Sequence, residues 1–225
     1  MTTRADRSRG MPRRTVPATG PRANRTPLLL VGGGILLLVI VAAVAALLLT
    51  AGGGGGLSEP ARTPIAVSGN PLAAYDPKAQ DAAIGQPIPT LTGTDLTGQP
   101  MTISPEEGPM AIVVLAHWCH VCQAEVPALV DWMAANPVPE GVKVVALTTS
   151  ITPTAQNYPP STWLDREGWT APTMVDDGNS RALDALGINA FPGFVFVDAD
   201  GRVVQRATGQ MPAEAFGQML EAIAP

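Results

Sequence analysis

Three patterns of apolar and polar positions organise the chain. Residues 28–51, beginning at Leu28 and ending at Ala51, read LLLVGGGILLLVIVAAVAALLLTA, 24 residues without a charge. As a helix at about 1.5 Å per residue this run reaches roughly 36 Å, enough to cross a bilayer. Two shorter runs, 110–116 (MAIVVLA) and 142–148 (VKVVALT), are apolar at nearly every position, as expected of strands covered on both faces. The remaining segments carry helix and hairpin signals. A helical stretch follows from Cys119 to about Ala135. Ser161 suits the N-cap of a short helix through Glu167, and a helix over 179–186 would close at Gly187. Thr97-Gly98 turns a hairpin within 88–103, and Asp198-Ala199-Asp200-Gly201 turns another between 194–197 and 202–207. Pro212 fits the first position of a closing helix that runs to Ile223, with Glu214 in its first turn. The order is hairpin, then βαβα, then ββα, which predicts an α/β sheet with helices on both faces.

Charge divides the 225 residues unevenly. Seven arginines (Arg4, Arg7, Arg9, Arg13, Arg14, Arg22, Arg25) precede residue 28 with Asp6 as the only acid there, while the rest of the chain is acidic. A basic tail on an acidic body argues against a nucleic-acid binder. The same arginines place the N-terminus in the cytoplasm and everything after residue 51 outside the cell membrane. The apolar run is longer than the core of a secretory signal and lacks a clean small-x-small site, so an uncleaved, single-pass anchor is expected. Residues 1–27 are too polar to fold and read as a disordered cytoplasmic tail. Residues 52–84, with the glycine run Gly52 to Gly56 and prolines at 60, 64, 71 and 77, read as an extracytoplasmic tether. A folded domain over 85–225 is left, of ordinary single-domain size. Low Lys usage with abundant Ala, Gly and Pro hints at a GC-rich bacterial genome.

Both cysteines and both histidines fall within the six residues from His117 to Cys122. The Cys119-x-x-Cys122 pair stands where a buried strand hands over to a helix, and that position carries the chemistry. Cysteine attacks as the thiolate, which the free amides and dipole of a helix N-terminus stabilise. Cys119 is therefore the attacking sulfur. Cys122, three residues on and on the same helical side, resolves the mixed disulfide. A structural disulfide closing so small a loop would stabilise little. Zinc or copper would need His117, His120 and the two cysteines to wrap an ion from one short segment, unlike the paired ligands of structural sites. Covalent haem attachment requires His after Cys122, where Gln123 stands.

With these residues in place the chain resembles the thioredoxin superfamily, in particular its membrane-anchored TlpA/ResA-like branch. Gly85-Gln86-Pro87-Ile88-Pro89-Thr90-Leu91 with Thr97-Gly98-Gln99 is similar to that branch's opening hairpin. Trp118-Cys119-x-x-Cys122 matches its active-site motif, Glu125 its glutamate near the disulfide, and Pro127 the helix proline of thioredoxins. Phe191-Pro192, followed by an apolar strand and Asp198-x-Asp200-Gly201, matches the cis-proline loop and the hairpin after it. The resemblance implies a thioredoxin-like fold with a central mixed sheet and an N-terminal hairpin extension. It implies protein thiol-disulfide oxidoreductase activity with no cofactor beyond a Cys119–Cys122 disulfide and no metal. Glu125 would exchange a proton with Cys122, and Trp118, Phe191 and Pro192 would contact substrate. His117 and His120 would tune the thiol. The implied partners are cysteine-containing exported proteins or an apocytochrome, with a membrane thiol transporter or oxidase as redox partner.

Three departures bear on the direction of electron flow. Val113 stands where thioredoxins carry a buried aspartate, His120-Val121 fills the space between the cysteines, and Phe191 and Gly193 flank Pro192 in place of small or β-branched residues. Two other functions use related parts. A peroxidase of the peroxiredoxin class would need Pro and Thr where Leu115 and Cys119 stand. A copper chaperone or metal sensor would need a distant histidine, and none follows His120.

Overall fold

The structure, a computed structural model, describes residues 63–225. The basic tail and the apolar segment 28–51 lie outside the described residues. Among the described residues no helix is long and apolar enough to cross a membrane.

Eight strands form one mixed sheet around a central strand β4 (Met110–Leu115), which is buried at every position. Its neighbour β5 (Lys143–Thr148) runs parallel, with Met110 opposite Lys143 and Leu115 opposite Thr148. On the other side lies β7 (Gly193–Val197), antiparallel, followed by the edge strand β8 (Val203–Thr208). Beyond β5 comes the short β6 (Thr173–Val175), parallel to β5 and antiparallel to β2 (Thr90–Asp95). The hairpin partner β3 (Pro100–Ile103) lines one side of β2. The other side is shared by β6 and β1 (Ala66–Ser68).

The period-two alternation of β4 sorts the core into two layers. Met110, Ile112 and Val114 face one layer with Ala182, Ala185 and Leu186 of helix α3 (Arg181–Leu186). Ala111, Val113 and Leu115 face the other, against α1 (His120–Ala135), α2 (Pro160–Arg166) and α4 (Ala213–Ile223). Helices on both faces of an α/β sheet are what the alternating pattern foretold. In α1 the buried residues Cys122, Glu125, Val126 and Leu129 recur at the spacing of one helical stripe.

Local differences have local causes. The short helix α2 starts at Pro160 with Pro159 as its cap, two residues before the expected cap Ser161. Proline at the first helical position loses no intrahelical bond and already has a helical φ. Pro212 caps α4 from outside in the same way. Strand β6 carried no readable signal, since three residues are too few to display a period.

The larger correction concerns the tether. The described part of 52–84 belongs to the folded unit: Ile65, Leu72 and Ala83 are buried, and β1 pairs with β2. Its hold on the sheet is a buried ion pair. The Arg206 guanidinium of β8, fully buried, donates to both carboxylate oxygens of Asp81, to Ala73 O at 2.8 Å and to Leu186 O at 2.9 Å. The Tyr75 ring lies 5.5 Å from its centre. This guanidinium holds the Asp81 carboxyl below the usual carboxylate range. Gly187, the left-handed residue expected after α3, has φ 65° and lies against Ala73 O and Arg206, leaving no room for a Cβ. The sequence concealed this segment because its four prolines suppress periodicity while single side chains do the packing.

An Asp81→Ala substitution leaves a fully buried guanidinium short of its counter-charge, which should cost about 3 kcal/mol. Urea unfolding of the full chain measures it. A loss below about 0.5 kcal/mol would mean that residues 63–84 are an appendage.

Candidate active site

β4 ends at Leu115, and the chain turns through Ala116, His117 and Trp118 into α1. Cys119 caps that helix from an extended conformation, its N–H bonded to Ala116 O at 3.0 Å and its carbonyl accepting from Gln123 N at 3.1 Å. The Cys119 side chain is half-buried and that of Cys122 wholly buried, and both are free thiols. The two thiols are neighbours, close enough to act on one another, the placement that a disulfide between them requires. Cys119 Sγ lies 3.7 Å from Phe191 O, and the Phe191–Pro192 peptide is cis, as the resemblance implied.

Burial pushes the Cys122 thiol far above its ordinary range, and the neighbouring Cys119 and Glu125 add to the rise; a hydrogen bond with the Ala116 backbone opposes it. Cys122 is therefore a thiol that cannot ionise unaided. Glu125 is 1% exposed. Burial raises its carboxyl as well, against the N–H of Met211, which donates to its two oxygens at 3.2 and 3.3 Å. Cys122 and Glu125 lie three residues apart on one helical face, both buried. Val113 is apolar and belongs to the same buried cluster as Cys122.

Trp118 is 38% exposed. Its ring meets that of Phe191 edge-on at 5.8 Å, and its indole N–H donates to Ser150 O at 2.7 Å. Pro192 is buried beneath them. His120 occupies the first position of α1 and is exposed. The histidine expected beside it as a tuner has a different setting. His117 is buried, and the Thr152 N–H donates to its Nε2 at 3.1 Å. Nε2 is therefore unprotonated, and Nδ1–H donates to Gln156 O at 2.7 Å. With both nitrogens engaged the ring is neutral and closed to a metal ion. Among the described residues no group of three His, Cys, Asp or Glu side chains is arranged to hold one.

The structure thus brings together Trp118, Cys119, Cys122, Glu125, Phe191 and Pro192. Two contributors escaped the sequence reading. The Met211 N–H is a backbone donor and has no side-chain signature. The segment 150–158 carries no periodic pattern or motif, and nothing in the sequence singled it out.

Comparison with known proteins places these parts. The redoxin family profile matches residues 83–223. Among curated proteins, the thiol-disulfide oxidoreductase ResA of Bacillus anthracis is 25% identical over 144 residues, covering 63% of this chain and 79% of that protein. ResA of Geobacillus thermodenitrificans is 26% identical over 144 residues, with 64% and 79% covered. Two solved structures share the fold. A thioredoxin-family thiol:disulfide interchange protein from Chlorobium tepidum superposes with a TM-score of 0.51 at 20% identity, over 64% of this chain and 99% of its own. A DsbF homologue from Corynebacterium diphtheriae gives 0.54 at 15% identity, over 68% and 99%.

The raised Glu125 carboxyl has a consequence for stability. It stays protonated to a higher pH in the folded protein than in the unfolded chain, so stability falls as pH rises and the buried group must ionise. Gln carries no such charge and can still accept from Met211 N–H. The melting temperature of Glu125→Gln should equal that of the parent near pH 4 and exceed it increasingly toward pH 8, by scanning calorimetry. A gap that closes as pH rises would contradict the burial of a titrating carboxyl.

Proposed function

The chain belongs to the redoxin family and is a thiol-disulfide oxidoreductase, and on that footing we propose that its Cys119-His120-Val121-Cys122 segment exchanges disulfides with cysteine-containing proteins at the outer face of a bacterial cell membrane. One observation carries the reading: an accessible thiol at a helix N-terminus with a second, buried thiol one turn behind it. The apolar run 28–51 and the arginines before it support the tether and its orientation. Exported proteins or an apocytochrome are the clients, as the similarity to ResA suggests, and a membrane thiol transporter or oxidase is the redox partner.

In the reducing direction, Cys119 thiolate attacks a substrate disulfide. A mixed disulfide forms, and one substrate sulfur departs as thiolate. Cys122 passes its proton to Glu125 and attacks Cys119 Sγ. The second substrate sulfur leaves, and the enzyme holds the Cys119–Cys122 disulfide, having given up two electrons. The oxidising direction is the same sequence reversed. The Phe191 carbonyl beside Cys119 Sγ and the partly exposed Trp118 ring support a substrate chain running past them.

Cys122→Ser should accumulate mixed disulfides with client proteins, because attack proceeds while resolution cannot. Cys119→Ser should accumulate few or none. Non-reducing electrophoresis of the captured complexes reads this directly, and equal capture by both variants would remove the assigned roles.

His120 bears on the potential. His120 is exposed at the first position of α1, where a positive charge would stabilise a thiolate at Cys119, and with it the reduced pair, by about 1 kcal/mol. His120→Ala should therefore make the reduction potential about 20 to 30 mV more negative, since about 30 mV corresponds to about 1.4 kcal/mol for two electrons. Equilibration with glutathione buffers measures it. An unchanged potential would mean that the ring does not reach the sulfur.

A further inference from the structure

The turn that carries Cys119 is clasped from outside by residues 150–158, and the clasp centres on His117. Its imidazole joins two backbone groups of that segment, Thr152 N–H at Nε2 and Gln156 O at Nδ1. Its carbonyl accepts from Asn157 Nδ2 at 3.4 Å and from Gln123 Nε2 of α1 at 2.9 Å. The next residue is tied in the same way: Trp118 O accepts from Gln156 Nε2 at 3.4 Å, and the indole N–H reaches Ser150 O. The segment is held in an uncommon shape at both ends. Ser150 has φ 51° and Asn157 φ 58°, left-handed values that a non-glycine residue adopts only when its surroundings impose them.

The clasp also presents apolar surface to solvent. Four large apolar side chains are exposed among the described residues, and two of them, Trp118 and Tyr158 at 40%, belong to this assembly. The Tyr158 ring packs edge-on against the His117 imidazole, with centroids 6.1 Å apart. One buried ring therefore sets the position of two exposed aromatic ones, Trp118 through Ser150 and Tyr158 by direct contact.

We infer that His117 is a positioning residue for polypeptide substrates: it pins residues 150–158 so that Trp118 and Tyr158 form a rigid aromatic rim on which the chain around a client cysteine docks. This deepens the oxidoreductase reading and rests on it. The clients are extended segments with apolar or aromatic side chains next to the reactive cysteine, because aromatic rims bind such groups with little loss of their own freedom. A small disulfide without side chains does not use the rim. His117 takes no part in the sulfur chemistry.

The test separates docking from chemistry by giving the full-length chain two disulfide substrates, insulin and hydroxyethyl disulfide, with dithiothreitol as electron source. His117→Phe keeps an aromatic ring and removes both hydrogen bonds to the segment. It should raise KM for insulin about tenfold while leaving kcat within about twofold, because a group that only binds acts on ground and transition states alike. Turnover of hydroxyethyl disulfide should stay at the parent rate. His117→Gln, whose amide oxygen can accept from Thr152 N–H, should recover most of the insulin KM. If His117→Phe does not fold, His117→Asn gives the same separation with a smaller factor, since it keeps a donor near the Nδ1 position and loses the acceptor. Equal losses on both substrates would place His117 in the sulfur chemistry and overturn the inference, as would an unchanged insulin KM. A parent chain inert toward both disulfides would instead overturn the oxidoreductase reading itself, and this one with it.

Discussion

One boundary governs the site: across a single turn of α1 the environment changes from half-open at Cys119 to closed at Cys122. Thiolates need either solvent or fixed donors, and the helix N-terminus offers donors only to its first residues. The first cysteine stands at that end and reaches solvent, while the second is held as a thiol by burial, against one hydrogen bond with the Ala116 backbone. Everything else about the site follows from maintaining that difference. Strand β4 must be buried throughout so that its end delivers the turn to the helix at a fixed height, and the stripe of Cys122, Glu125, Val126 and Leu129 must face the core. In the proposed exchange a buried carboxyl receives the Cys122 proton, and Glu125 stands where that role is assigned, with the Met211 N–H keeping its oxygens from being wholly unsatisfied.

What the sequence disclosed and what it withheld divide along physical lines. Strands β4 and β5, helix α1 and the turns at Thr97-Gly98 and Asp198–Gly201 were legible because each states its environment in consecutive residues. The same holds for Cys119 and Cys122, whose chemistry is carried by residue type and spacing, whereas Pro192 was legible only through the family resemblance. Glu125 was legible only through family resemblance, since a lone glutamate on a helix is usually a solvated charge. Three features were hidden. Residues 63–84 pack through isolated side chains and one ion pair between Asp81 and Arg206, 125 residues apart, and no local pattern reports such a contact. The bond from Met211 to Glu125 is made by backbone. His117 looked like a partner of His120 because the two lie three residues apart, yet one ends in the interior and the other in solvent.

The two histidines show how position on one turn separates roles. His120 is exposed at the helix end that favours anions. His117 faces inward and joins the turn to residues 150–158 through its two ring nitrogens. Reactivity and docking are thus assigned to different faces of the same short segment. A change in client preference need not disturb the thiol chemistry, which rests on the N-terminus of α1 and the burial behind it.

Differential alkylation tests the central boundary most directly. The reduced chain is exposed to limiting iodoacetamide at pH 7, and the modified cysteine is identified by mass spectrometry of its peptides. The account expects modification at Cys119 alone until the protein is unfolded, because only that sulfur is both reachable and able to ionise. Modification of Cys122 in the folded protein at a comparable rate would show that no such boundary exists across the first turn of α1.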